Sequence, residues 1–319
     1  AAWPVQGLIK NFRPVIEAAV SAIWQQWADL GAMAGGAASR GWLIDPEALV
    51  LASEALAPRE RRLYEVMHLW VSQHADVLSA QRLTNLANVT GTLPRHEPAA
   101  IAAIAMMGPN GHRWNRLATN RLSNPASSLT PRSAPPLGLS ASSTAMVRLR
   151  LAMGVGVKAD ALAYLVGTAN WQSVQEVTRA TGYTTAGVRR GLDELAQARF
   201  IDSEEPVEWG TRRARHFRAD PKRWRALLGF GHPAPAWGDF RERFDFVVHI
   251  SQWMDDGNGM QQWNGVQLGD WGKRWMTEHP LAFRFDGEDR AAYRGTLTEW
   301  AEHFVESLRM LTAWFGGEE

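Results

Sequence analysis

The chain has 319 residues, 45% hydrophobic and 21% charged, and its 34 basic and 33 acidic side chains leave a net charge of only +1. That balance describes a core-forming globular protein, and it excludes both a disordered chain and contact with nucleic acid through overall charge. The absence of cysteine excludes disulfides, thiol catalysis and cysteine-ligated zinc and fits a cytoplasmic protein, and the most apolar tract, 15–38, is too polar to span a membrane because Glu17, Gln25, Gln26 and Asp29 interrupt it.

From the N-terminus, residues 12–33 predict a helix with Ile16, Ala19, Val20, Ile23, Trp24, Trp27 and Leu30 on a broad apolar face, ended by Gly31, Gly35 and Gly36. Asp45 caps a second helix, with Pro46 in its first position and Leu49, Val50 and Leu56 turned inward. Pro58 opens a third, in which Leu63, Val66, Met67, Trp70 and Val71 recur at helical spacing. Ser79 caps a short helix holding Leu83 and Leu86, and 97–107 is again helical. From 108 to 143 Gly, Asn, Pro and Ser dominate, and Arg113, Arg116, Arg121 and Arg132 meet no acid between His112 and Ser143. This segment is either a linker or a basic arm that can follow phosphates.

Residues 160–222 follow the order helix, short helix, tight turn, helix, strand, arginine-rich hairpin, strand. Leu162, Leu165 and Val166 form the stripe of the first helix, and Asn170-Trp171-Gln172 breaks it. Ser173 with Glu176 makes a capping box for a short helix that buries Val174 and Val177. Thr181-Gly182-Tyr183 is the turn, where glycine supplies the positive φ that ends a helix sharply. Thr184 or Thr185 caps the next helix, which carries Val188, Leu192, Leu195 and Ala196 on one face and Arg189 and Arg190 off it. Phe200 and Ile201 open a strand, 204–210 leads into a loop, and His216-Phe217-Arg218 returns.

The stretch from Ser173 to Ile201 resembles the DNA-binding module of MarR- and ArsR-type transcriptional regulators, over roughly a fifth of the chain. The resemblance implies a winged helix-turn-helix, with Thr184, Thr185, Arg189 and Arg190 at the exposed start of the recognition helix and Arg212, Arg213 and Arg215 forming the wing. With Ser173 these are the candidate DNA-contacting residues. Charge points the same way. Between Trp209 and Arg225 seven Lys or Arg face Asp220 alone, a local balance of +6 in a chain that is nearly neutral. Concentrated positive charge behind a helix-turn-helix is what phosphate contact requires, and arginine can enter a narrow minor groove. One internal echo stands apart. Ser79-Ala80-Gln81-Arg82-Leu83-Thr84 parallels Ser173-Val174-Gln175-Glu176-Val177-Thr178, so the N-terminal region holds either a degenerate second helix-turn-helix or two ordinary capped helices.

Beyond the wing, 221–228 predicts a helix, 229–235 a loop, and 239–255 a long helix with Phe240, Phe244, Val247, Val248 and Trp253 available for burial. The Gly- and Trp-rich stretch 257–275 carries no clear period, and 281–285 reads as a short strand. A final amphipathic helix is expected over 289–315, through Tyr293, Leu297, Trp300, Phe304, Leu308, Leu311 and Trp314, as a dimer helix or a core helix. The sixteen tryptophans either fill gaps between helices or line an aromatic pocket.

No catalytic signature is present. Gly154-Val155-Gly156 lacks the third glycine of a dinucleotide loop, and Asp255-Asp256 before Gly257-Asn258-Gly259 lacks the spaced acids of a calcium loop. Asp245 with His249, and Glu299 with His303 and Glu306, stand at helical spacing, as two metal ligands on one face or as solvated charge. The sequence therefore predicts a mainly α protein with a small β-wing. Its parts are a helical N-terminal domain (1–107), a Pro/Ser-rich basic linker (108–142), a winged helix-turn-helix domain (143–228) and a Trp-rich, mainly helical C-terminal region (229–319). The expected function is that of a bacterial-type, cytoplasmic, DNA-binding transcriptional regulator rather than an enzyme. It would bind double-stranded DNA as a homodimer, with no cofactor or metal and with an unidentified small-molecule effector at most. The alternative is a winged-helix protein-interaction subunit, antitoxin-like or scaffolding, without direct DNA readout.

Overall fold

The computed structural model describes residues 2–3, 6–33, 41–88, 98–118, 136–204, 215–231, 234–256 and 263–316. They are mainly helical, with small antiparallel sheets. β1 (Ala2–Trp3) precedes α1 (Gln6–Asp29), which buries Phe12, Val15, Ile16, Ala19, Ile23 and Trp27 along one face. In α2 (Pro46–Ala55), Asp45 accepts a hydrogen bond from the Ala48 amide at 3.2 Å and Pro46 sits in the first turn, as the sequence signals require. α3 (Arg61–His74) starts later than Pro58, because Glu60 is the side chain that caps it. α4 (Ala80–Asn88), α5 (Pro98–Ala105) and α6 (Asn115–Ala118) follow. Residues 119–135, which hold Arg121 and Arg132 of the expected linker or arm, lie outside the described residues.

Next in the chain come α7 (Ala145–Met153), α8 (Val157–Thr168), β2 (Gln172–Ser173), α9 (Val174–Thr181), α10 (Thr185–Gln197), β3 (Asp202–Glu204), β4 (His216–Arg218) and α11 (Pro221–Leu228). The strands form one antiparallel sheet in the order β2-β4-β3, with Phe217 paired to Gln172 on one side and to Ser203 on the other. The strand after α10 begins at Asp202 rather than at Phe200; Ile201 is buried, whereas Phe200 stays 40% exposed and edge-on to Trp224. α8 has no single apolar stripe. Every residue from Ala159 to Val166 is buried, because α7, α9 and α10 all pack around it.

The last third departs most from its expected elements. α12 (Phe240–Asp255) is as predicted. β5 (Trp263–Asn264) pairs with β1, and the stretch without a clear period is in fact α13 (Gly265–Glu278), capped by reciprocal hydrogen bonds between Asn264 and Gln267. Its glycines are contact points rather than breaks. A Cβ on Gly269 would lie 1.6 Å from the Leu297 carbonyl oxygen, and one on Gly272 would lie 2.6 Å from the Phe304 ring. Residues 280–283 form a 3-10 turn, leaving only β6 (Arg284–Phe285) of the predicted strand, paired with β7 (Glu288–Asp289). The final helix, α14 (Leu297–Gly316), starts well after 289, where Thr296 and Glu299 exchange backbone-to-side-chain hydrogen bonds. Tyr293 therefore lies outside it and stacks on His303, 4.1 Å between ring centroids.

Apolar side chains gather in two clusters. The larger is built jointly by α1 to α6 and α12 to α14, so the two ends of the chain share one core. The smaller belongs to α7 through α11 and takes in Leu43. Each fully buried Leu, Ile, Val or Phe contributes roughly 1.5–3 kcal/mol. Backbone hydrogen bonds stitch the clusters together, from Leu43 to Ala236, Ile44 to Ser143 and Trp237 to Gly167. Among the described residues no helix is long and apolar enough to cross a membrane.

Candidate nucleic-acid interface

α10 is amphipathic in the literal sense. Val188, Gly191, Leu192 and Leu195 are buried against α8 and α9, while Thr184, Thr185, Ala186, Arg189 and Arg190 are exposed. Gly191 makes the close approach possible, since a Cβ there would come within 3.2 Å of Val157 in α8. Thr184 is the N-cap, accepting from the Gly187 amide at 3.2 Å, so the free amides of the first turn lie beside Thr185. That end of a helix carries partial positive charge and favours an anion. Among the described residues neither Arg189 nor Arg190 makes an ion pair. Arg190 also lines a groove of about 300 Å³ between α10 and the Gly154-Val155-Gly156 link, where Lys158 pairs with Glu194 at 3.3 Å.

The preceding elements fix this helix. Ser173 caps α9: its hydroxyl accepts from the Glu176 amide at 3.3 Å and donates to the Glu176 carboxylate at 2.8 Å, while its backbone pairs with His216 in the sheet. Gly182 closes α9 at φ +73°, a conformation that strains any side chain with a Cβ. Tyr183 is buried and donates to Asp160 at 2.9 Å; burial, then the Asp160 charge, push its phenol well above the usual range.

Arg212 and Arg213 lie outside the described residues, which stop at 204 and resume at 215. Arg215 is tied back onto α10, 2.8 Å from Asp193, and donates to Ser203 Oγ at 3.0 Å. Arg218 lies over the Trp171 ring and 3.4 Å from Asp202. Arg223 donates to the Arg199 carbonyl at 2.6 Å, beyond the end of α10. Much of the local positive charge is therefore shared with neighbouring acids and carbonyls, which the residue count alone did not reveal.

Behind the turn lies a feature the sequence analysis missed. Arg82 of α4 and Arg150 of α7 are fully buried among Asp45, Glu47 and Asp160. Arg150 grips two carboxylates bidentately, Glu47 at 2.8 Å and 2.8 Å and Asp160 at 2.7 Å and 2.8 Å, and donates to the Val77 carbonyl. Arg82 reaches Asp45 and Glu47 at 2.5 Å, and its Nε donates to the Thr181 carbonyl at 2.7 Å, the last residue of α9. Burial alone would raise the Glu47 carboxyl, yet Arg150 and Arg82 outweigh it and hold the group down at about 2. Nearby, Asn85 of α4 donates to the Gly182 carbonyl, and a Cβ on Gly182 would touch the Leu86 side chain. The α4 segment that echoes α9 in sequence thus braces the turn between α9 and α10. The available signal was charge inside apolar runs, Asp160 between alanines and Arg150 between leucines.

The candidate ligand pairs on helices resolve otherwise. His249 Nδ1 lies 3.1 Å from His279 Nε2 in an aromatic cluster with Phe246 and Trp275. His303 Nε2 donates to the Arg290 carbonyl, Glu299 serves the cap at Thr296, and Glu306 pairs with Arg309. Among the described residues no three His, Asp or Glu side chains converge as for a metal. Compared with protein-family models, with curated proteins and with solved structures, the chain finds no match.

Proposed function

We propose that residues 143–228 form a winged helix-turn-helix that docks on double-stranded DNA, and that the chain acts as a cytoplasmic transcriptional regulator. The element order and the β2-β4-β3 sheet support this reading. The observation that carries it is the asymmetry of α10. Its inner face is buried, while its N-terminal turn offers Thr184, Thr185, Arg189 and Arg190 to solvent with no ion pair on either arginine among the described residues. A recognition helix presents those positions to base edges and phosphates. Two copies related by a twofold axis would place two such helices about one DNA turn apart and read a palindromic site.

A mobility shift on upstream and random-sequence duplexes, repeated across salt concentrations, tests the proposal. Arg189→Ala with Arg190→Ala should weaken binding about 10-fold or more and flatten its salt dependence. A wild-type chain that binds neither duplex at low salt sinks it. The pairing of Arg215 with Asp193, of Arg218 with Asp202 and of Lys158 with Glu194 favours a second reading, in which this mixed-charge face docks a protein. DNA affinity whose logarithm falls linearly and steeply with the logarithm of salt favours the first reading, because that slope counts the phosphates the chain neutralises.

A further inference from the structure

The groove between α10 and the Gly154-Val155-Gly156 link measures about 300 Å³ and opens to solvent beside Arg190. That volume stands at the lower end of the range for small-molecule sites and is many times what one water needs. Its walls are short of side chains. Gly187 and Gly191 stand one turn apart on α10, and a Cβ on either would close on Val157, to 3.8 Å and 3.2 Å. A Cβ on Gly154 or Gly156 would meet nothing within 4 Å, so the link bends around open space rather than packing into it. Met153, Val155 and Val157 supply half-buried aliphatic surface, and among the described residues no aromatic ring lines the groove. Three charges rim it. Lys158 is held by Glu194 at 3.3 Å, whereas Arg190 is exposed and makes no ion pair among the described residues. The balance is one open guanidinium beside an aliphatic wall.

We infer that this groove is a binding site for a small aliphatic carboxylate, a monoanion with a saturated chain. The carboxylate takes the forked N–H donors of Arg190, whose geometry matches its two oxygens. The chain lies along Met153, Val155 and Val157 and removes their apolar surface from water. A dianion such as a phosphate monoester fits less well, because Lys158 is already neutralised and Glu194 would face the second charge. A flat aromatic acid finds no ring to stack on. Arg190 belongs to the exposed face of α10, so a ligand that occupies its donors withholds them from a DNA phosphate. In calling the acid an effector, the inference rests on the proposed function; in calling the groove a binding site, it does not.

Octanoate is the probe, with octanamide as the control that keeps the chain and the shape of the head but carries no charge. Ligand-observed NMR titration of the full chain, without DNA, should give a Kd of about 1 mM for octanoate, in keeping with its size. Octanamide should bind about 5-fold more weakly, the upper range for one exposed ion pair. Arg190→Met should weaken octanoate by the same factor and leave the melting temperature unchanged. Arg189→Met, one residue along and outside the groove, should bind octanoate as the wild type does. No binding of octanoate to the wild type, equal binding of the two probes, or equal effects of Arg189→Met and Arg190→Met each overturns the inference. In mobility shifts, octanoate at ten times its Kd should weaken duplex binding about 10-fold. Unchanged duplex binding at that concentration overturns the effector role. Because the titrations contain no DNA, their failure is distinct from a failure to bind an operator.

Discussion

Two pairs of arginines divide the region around the α9–α10 turn. Arg82 and Arg150 lie behind it, without solvent exposure, each bonded to two carboxylates and to a backbone carbonyl. Arg189 and Arg190 lie in front of it on α10, exposed and without an ion pair among the described residues. The same side chain has opposite roles on the two sides. A buried guanidinium with a full set of acceptors fixes geometry, because moving it strands charge in a low-dielectric interior. An exposed one without partners contributes little to folding and keeps its donors for another molecule. The rear is a rigid mount and the front is an open surface.

The sharpest way to break this contrast is to remove the mount. Arg150→Met leaves Glu47 and Asp160 buried with only Arg82 to offset three acids, and should cost about 3–5 kcal/mol in urea unfolding. Adding Glu47→Gln should return part of that loss, because it removes one of the stranded charges. Arg190→Met on the front should change stability by no more than about 0.5 kcal/mol. Equal effects of Arg150→Met and Arg190→Met would erase the distinction.

A pH titration separates the mount from the aromatic cluster around His279. Burial pushes His279 down to about 4, opposed by Asp245 and assisted by Arg241, from an ordinary value of 6.5. Between those values the unfolded chain takes up a proton that the folded chain refuses. Its effect on stability is therefore absent above pH 6.5 and grows as pH falls toward 4, to a loss of about 3 kcal/mol. Glu47 acts in a lower window. Its carboxyl is held at about 2 against an ordinary 4.5, so its stabilisation is full above 4.5 and is lost as pH falls toward 2. His279→Phe should flatten the upper window and leave the lower one in place; a single merged transition in both proteins contradicts the separation.

These differences bear on what residue patterns can reveal. Periodicity and caps located α1, α2, α9, α10 and α12, because each rests on contacts within a few residues. The Ser173–Glu176 capping box and the Gly182 turn are where the sequence put them. Long-range pairing was not legible. Gly269 and Gly272 look like breaks until α14 is placed against them, and the helix expected from 289 was extended through a 3-10 turn because Tyr293 fits an apolar stripe. Arg82 and Arg150 were invisible as a unit because their partners are scattered across α2 and α8. The charge count between 209 and 225 was correct, but it could not show that Arg215 folds back on Asp193.

The smallest expected effect decides what Ser173 is for. Sequence placed it among the DNA-contacting residues, and its hydroxyl closes the cap of α9 with Glu176. Loss of a cap costs about 1 kcal/mol, so Ser173→Ala should lower stability by that amount, and Ser173→Asn, whose amide can both accept from the Glu176 N–H and donate to the Glu176 carboxylate, should lose less. At a temperature where both variants are folded, a pure cap predicts wild-type affinity for DNA in both. A phosphate neighbour predicts weaker binding by Ser173→Ala, which has no donor for a phosphate oxygen. Urea midpoints and mobility shifts on the two variants are therefore enough: unchanged affinity assigns Ser173 to the mount, and a loss of affinity confined to Ser173→Ala assigns it to the open face.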